Sequence, residues 1–270
     1  MSSLAITDRA LTASARVWFF TALAGQLIFA VHIAVFYIRS ALNGTPEDWN
    51  RTMLHGHLPD APFGNGVIVA HLLVAFLVTL GGALQLIPQI RQHFPRFHRW
   101  NGRVYVVSAI IAAFAGLYIV WVRGAFGDVP QHIGLTLNAL VMLAFAILAW
   151  RSALARDFKA HRRWALRLFV VSAGPWFNRL GLFLSLMVNQ GPFGFDPETF
   201  EGPFLTALDT AQWLLPLAVM ELYLRAKEGG APARASMAGG LLVSTLVMAS
   251  GIFAATIIMW VPFITVGKLP

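Results

Sequence analysis

The chain has no cysteine in its 270 residues. That excludes disulfides, thiolate-held metals and cysteine-ligated iron–sulfur clusters, and leaves the compartment open. Charge is scarce too. Asp, Glu, Lys and Arg together make up 12%, and hydrophobic residues 57%; a soluble domain carries about 25% charge. The apolar surface is therefore meant for lipid, and the chain reads as an all-α integral membrane protein. Acids are scarcer than bases, 12 against 20. Few of them fall inside the apolar runs, so the charged relay of a proton-coupled pump is missing. The bases cluster in short loops between those runs, which argues against nucleic acid as a partner despite the net charge of +8. There is no Gly-rich nucleotide loop, no Gly-x-Ser-x-Gly elbow and no His-Glu-x-x-His.

What is present is a series of apolar runs, each near the roughly 20 residues that cross a bilayer. Seven spans are expected, at about 17–38, 66–88, 97–121, 129–150, 160–188, 206–224 and 237–262, forming one bundle over 1–270. The segment 1–16 is polar and runs into a full-length span, without the short apolar region and cleavage site of a signal peptide. Arg91, Arg96, Arg99 and Arg103 gather between spans 2 and 3. Arg151, Arg156, Lys159, Arg162, Arg163 and Arg167 gather between spans 4 and 5, and Arg225, Lys227 and Arg234 between spans 6 and 7. The 5–6 loop holds Asp196, Glu198, Glu201 and Asp209 with no base. Basic loops stay in the cytoplasm, which puts the N-terminus inside. The outer loop of about 39–65 has turn residues (Asn43-Gly44, Pro59-Asp60, Asn65-Gly66) that predict an ordered cap.

Four histidines stand out on this map. His71 and His132 lie about a turn inside the outer ends of spans 2 and 4, the latter after a predicted N-cap, Asp128, and Pro130. His98 and His161 lie at the inner starts of spans 3 and 5. In a four-helix arrangement of spans 2–5, alternate helices face each other across a diagonal. Each pair can then clamp a flat ring, and the constellation suits two b-type haems with imidazole on both faces. Gly81, Gly82, Gly102, Ala109, Ala112, Ala113 and Gly116 would give the rings room. Arg99, Arg103, Arg162 and Arg163 would meet propionates on the inner side. The plainer reading is that basic and aromatic residues collect wherever a helix leaves the bilayer.

Arg179 is eighteen residues beyond His161, about 27 Å along a helix and on the same face. A buried arginine in a span is costly and marks function. Here it would neutralise a propionate of the outer haem or orient an anionic or quinone substrate, with Pro175 kinking the helix to make space. His32 in span 1 with His55 and His57 in the outer loop offers a second metal-ligating set, for copper or zinc. Glu221 precedes Arg225 by four residues, the spacing of a helical ion pair.

The stretches "FHRWNGRVYVV" and "PQHIGLTLNALVMLAFAIL" resemble the second and third haem-ligand segments of the cytochrome b-561 family, over about 66–189. The chain as a whole, with "HRWNGRVY" followed by "HRRWALRLF", also resembles a bacterial membrane family, the domain of unknown function 2306. The resemblance to the cytochromes implies that His71 and His132 bind an outer haem and His98 and His161 an inner one. No lysine-rich segment precedes the first ligand helix, so ascorbate is not implied as donor. The expected function is electron transfer in the bacterial inner membrane, between a quinol or small reductant and a quinone, metal ion or superoxide, by a single chain, a homodimer or a membrane complex. The competing expectation is a haem-free membrane protein: an outer-face metal enzyme, a small-solute transporter or a complex subunit.

Overall fold

The computed structural model describes residues 3–267. It is helical almost throughout, and among these residues the one β-type pairing is an isolated bridge between Asp196 and Glu201. The helices are α1 (Ser3–Leu42), α2 (Pro62–Leu86), a short α3 (Pro88–His93), α4 (Pro95–Tyr118), α5 (Val129–Leu154), α6 (Phe158–Ser172), α7 (Gly174–Asn189), α8 (Pro203–Glu228), α9 (Ala231–Ala255) and α10 (Val261–Thr265). Proline stands in the first turn of α2, α3, α4, α5, α7, α8, α9 and α10, where the missing N–H has no intrahelical partner anyway. Asp128 caps α5 as expected. It accepts from Gln131 N at 3.0 Å while Gln131 Oε1 accepts from Asp128 N at 3.1 Å. Asp157 caps α6 through Ala160 N at 2.9 Å.

Among the described residues, five helices are long and apolar enough to cross a membrane: Ser3–Leu42, Pro62–Leu86, Pro95–Gly124, Val129–Leu154 and Ala231–Thr265. Leu73, Phe114, Leu140 and Leu246 are among the large apolar side chains they turn outward, and the bilayer is the partner such a surface fits. The remaining two expected spans take other forms. The run 160–188 breaks at Ala173 into α6 and α7, of 15 and 16 residues, because Gly174-Pro175 opens a new helix. The expected kink at Pro175 is thus a full break, and Arg179 does not continue the helix of His161. The run 206–224 becomes α8, 26 residues long but interrupted in polarity by Asp209, Gln212 and Glu221. At the N-terminus α1 extends 40 residues and takes in most of the polar segment, whose first two residues lie outside the described ones.

The chain runs between a basic end, where α2 stops and α4 starts, and a capped end, under the loop between α1 and α2. Two layers form. In one, α2 packs on α4, α4 on α5, α5 on α6, and α6 returns to α2, so α4 and α6 stand diagonally opposed. In the other, α1 pairs with α9, and α7 packs on α9 and α8. The four-helix layer is filled by side chains: Val78, Tyr105, Ala109, Ala113, Met142, Ala146, Leu168 and Val171 form one buried cluster. Tyr105 and Ser172 share a hydrogen bond of 2.8 Å across it. Gly82 is there to admit Tyr105, since a Cβ would come within 2.8 Å of its ring and 3.0 Å of Phe169. The glycines expected to make room for a ring instead let α2 and α4 approach, and Asn101 donates to Gly81 O at 2.9 Å.

The cap is ordered, as its turns predict. Asn50 brackets His57 by two bonds of 3.0 and 2.8 Å, and Asn65 brackets Leu58 by two of 2.7 and 3.1 Å. Buried Arg123 ties the cap to α4 by donating to His55 O and Asn65 Oδ1. Arg123 belongs to a wide π-helical turn at Ile119–Gly124, and a second such turn, Thr256–Trp260, interrupts α9 before α10. Arg39 of α1 donates to Phe263 O and Ile264 O at 2.7 and 2.8 Å, fastening the last helix to the first.

Candidate functional site

At the basic end, His98 and His161 begin the two diagonally opposed helices and lie within electrostatic reach of each other. His161 donates from Nδ1 to Ala149 O at 2.9 Å, which leaves Nε2 free. His98 Nδ1 is buried and has no partner. Gln85 of α2 braces the helix by donating to His98 O at 2.9 Å. The expected arginines divide. Arg163 pairs with Glu228 at 3.3 Å and Arg103 lies over the Trp100 ring at 5.1 Å, whereas Arg99 and Arg162 are exposed and make no ion pair among the described residues. Glu221 pairs with Arg167 of α6, not with Arg225: both guanidinium nitrogens engage its carboxylate, a fork that two helices can align and one helix cannot.

At the capped end the second histidine pair is not joined. His71 lies beside Ala112 and Gly116 of α4, its Nδ1 buried and unpartnered. His132 turns to another flank of α4, edge-on to Trp121 with ring centroids 5.6 Å apart, and donates from Nε2 to Phe126 O at 3.3 Å. Trp121 lies in the wide turn Ile119–Gly124 beyond α4, five residues past Gly116, so the two rings have separate neighbours.

His71 faces a different group. Arg179 of α7 is within electrostatic reach of His71, His32 and Tyr37. Its guanidinium donates to Pro175 O at 2.8 Å and sits over the Phe29 ring at 5.2 Å. It has no carboxylate partner among the described residues. His32 stacks on Phe29 and Phe36, and Trp260 leans on Phe29 at 5.7 Å. Gln26 Oε1, His32 Nδ1, Trp176 Nε1, Thr256 Oγ1 and Trp260 Nε1 are all buried without a hydrogen-bond partner. They come from α1, α7 and the wide turn after α9, a type of turn frequent at functional sites.

The three-histidine metal set does not assemble. His32 is buried among aromatic rings, His55 donates to Arg123 O at 3.0 Å, and His57 meets the edge of Trp49. Among the described residues no group of three or more His, Asp or Glu side chains is placed to hold a metal ion.

One residue escaped the sequence. Asp209, expected in the acidic outer loop, is six residues into α8 and buried. It accepts from Gln131 Nε2 at 3.1 Å, Asn178 Nδ2 at 2.9 Å and Gln212 Nε2 at 3.2 Å. It locks α5, α7 and α8 together. The signal was Gly202-Pro203, a helix start six residues upstream.

The fold and its apolar surface define a multi-pass helical membrane protein. A family model described as a predicted membrane protein, DUF2306, matches residues 68–224. That is more than half of the chain, and the chain belongs to this family. The match runs from α2 into α8, leaving α1 and α9 outside it. Comparison with curated proteins and with solved structures gives no match.

The basic end has the ligand chemistry of a b-type haem: two imidazoles on opposed helices, one oriented by a backbone carbonyl as metal-bound histidines are, and two arginines free of ion pairs. The capped end does not fit a second haem between His71 and His132, because the two rings have separate partners.

Proposed function

We propose that the protein is an electron carrier of the bacterial inner membrane, built of seven spans with the N-terminus and the basic end in the cytoplasm. A b-type haem would be held by His98 and His161, with Arg99 and Arg162 meeting its propionates. When bound by two imidazoles such a group exchanges single electrons and offers no open coordination site. The residues of this chain do the rest. Ala149 O fixes the tautomer and direction of the His161 ring. Gln85 anchors the first turn of α4, and the Tyr105–Ser172 bond with its packed surroundings keeps water from crossing the layer. The resemblance of "FHRWNGRVYVV" to a cytochrome b-561 ligand segment supports the same reading. The observation that carries it is the oriented His161 imidazole diagonally across from His98.

The test is a visible spectrum of the purified protein, oxidised and dithionite-reduced. Sharp reduced bands of a low-spin b haem are expected, lost in His98→Ala and in His161→Ala and kept in His132→Ala. A colourless preparation from haem-replete cells would sink the proposal.

A further inference from the structure

Arg179, His32 and Trp260 gather around Phe29 in the capped half, with Trp176 in the same buried cluster and His71 within electrostatic reach of Arg179, away from the histidine pair at the basic end. Arg179 is half-buried, so part of its side chain stays accessible. A guanidinium inside a bilayer protein with no counter-charge is among the least favourable groups a chain can carry. Among the described residues its one hydrogen bond goes to its own helix, at Pro175 O, with no acceptor for Nε or the second amino group. Trp176 and Trp260 are 2% and 0% exposed and their indole N–H groups are unmatched. Indole and guanidinium donate and never accept. The missing partner must therefore accept. The unpartnered acceptors of the same region, Gln26 Oε1 and Thr256 Oγ1, bond to none of these donors, and the aromatic wall of Phe29, Phe36 and Phe263 has no acceptor to offer.

We infer that this cluster binds a ligand with an oxygen acceptor, a carbonyl or carboxylate, on an apolar body. Arg179 takes the oxygen, the indole N–H groups of Trp176 and Trp260 and the imidazole of His32 offer further donors, and the aromatic wall takes the body. Two sources share that chemistry: a membrane quinone and a long-chain carboxylate. The inference goes beyond the haem reading and does not depend on it.

The probes are decylubiquinone and decanoate, each titrated against the detergent-purified full chain and read as a saturable rise in thermal midpoint. At least one should bind. Arg179→Gln should weaken that binding roughly ten-fold or more, as loss of a charged hydrogen bond does. Trp260→Phe, which keeps the ring and removes the N–H, should weaken it a few-fold, which keeps the test open if Arg179→Gln does not fold. His98→Ala should leave it unchanged, separating this site from the haem. Binding of the quinone alone assigns a carbonyl ligand, and of decanoate alone a carboxylate. Saturation by neither probe, or equal affinity in wild type and Trp260→Phe, overturns the inference.

Discussion

Asp209 shows how much one buried carboxylate can organise. Three side-chain amides, from α5, α7 and α8, converge on it; Gln212 Nε2 also reaches the Asp209 backbone O at 3.0 Å, while Gln131 Nε2 and Asn178 Nδ2 have no other acceptor among the described residues. Asp209→Ala strands those two donors, at roughly 1–3 kcal/mol for each one left dry. The thermal midpoint in detergent should fall sharply, and less in Asp209→Asn, which keeps one acceptor oxygen. Equal midpoints for wild type and Asp209→Ala would show that the three helices hold without it. The sequence offered the acid but not its place, because acids counted along a loop carry no sign of the helix that starts in their midst. The histidines were legible as residue types at helix ends. Whether a ring turns inward is set by neighbours such as Trp121 and Ala149, which only packing brings near.

Helices were readable wherever one physical rule dominated. Uninterrupted apolar runs located α2, α4 and α5 within a few residues, α9 begins six residues before its expected span of 237–262, and Asp128 with Pro130 marked the start of α5. The break at Ala173 was read as a kink, since Gly174-Pro175 sits in an apolar run whose length alone implies one span. The two wide turns had no sequence signal at all. Glycine roles changed with packing, and this is testable within α2. Gly82→Ala forces a Cβ to within 2.8 Å of the Tyr105 ring, an overpacking of about 1–3 kcal/mol. Gly66→Ala, in the same helix with nothing within 4 Å of the added carbon, should be neutral or stabilise by up to about 1 kcal/mol. Paired melting curves check the contrast, and similar midpoints for the two variants would contradict the close α2–α4 contact.

At the scale of the whole molecule, the lack of cysteine becomes an experimental advantage. Single substitutions Ala155→Cys at the basic end and Glu198→Cys at the capped end carry the only thiol in the chain. In intact spheroplasts a membrane-impermeant maleimide should label Glu198→Cys at once and Ala155→Cys only after lysis; the reverse order would invert the topology. The pairing of α1 with α9 has a further consequence, for synthesis. The partner of α1 leaves the ribosome after every helix between them, and Trp260 and Phe263 follow it. Until then His32 and its aromatic neighbours wait in the bilayer with one wall missing. A chain arrested before Ala231 would already hold both basic-end histidines, but its Arg179 would stand in a half-built cluster, completed only when α9 and the turn beyond it reach α1.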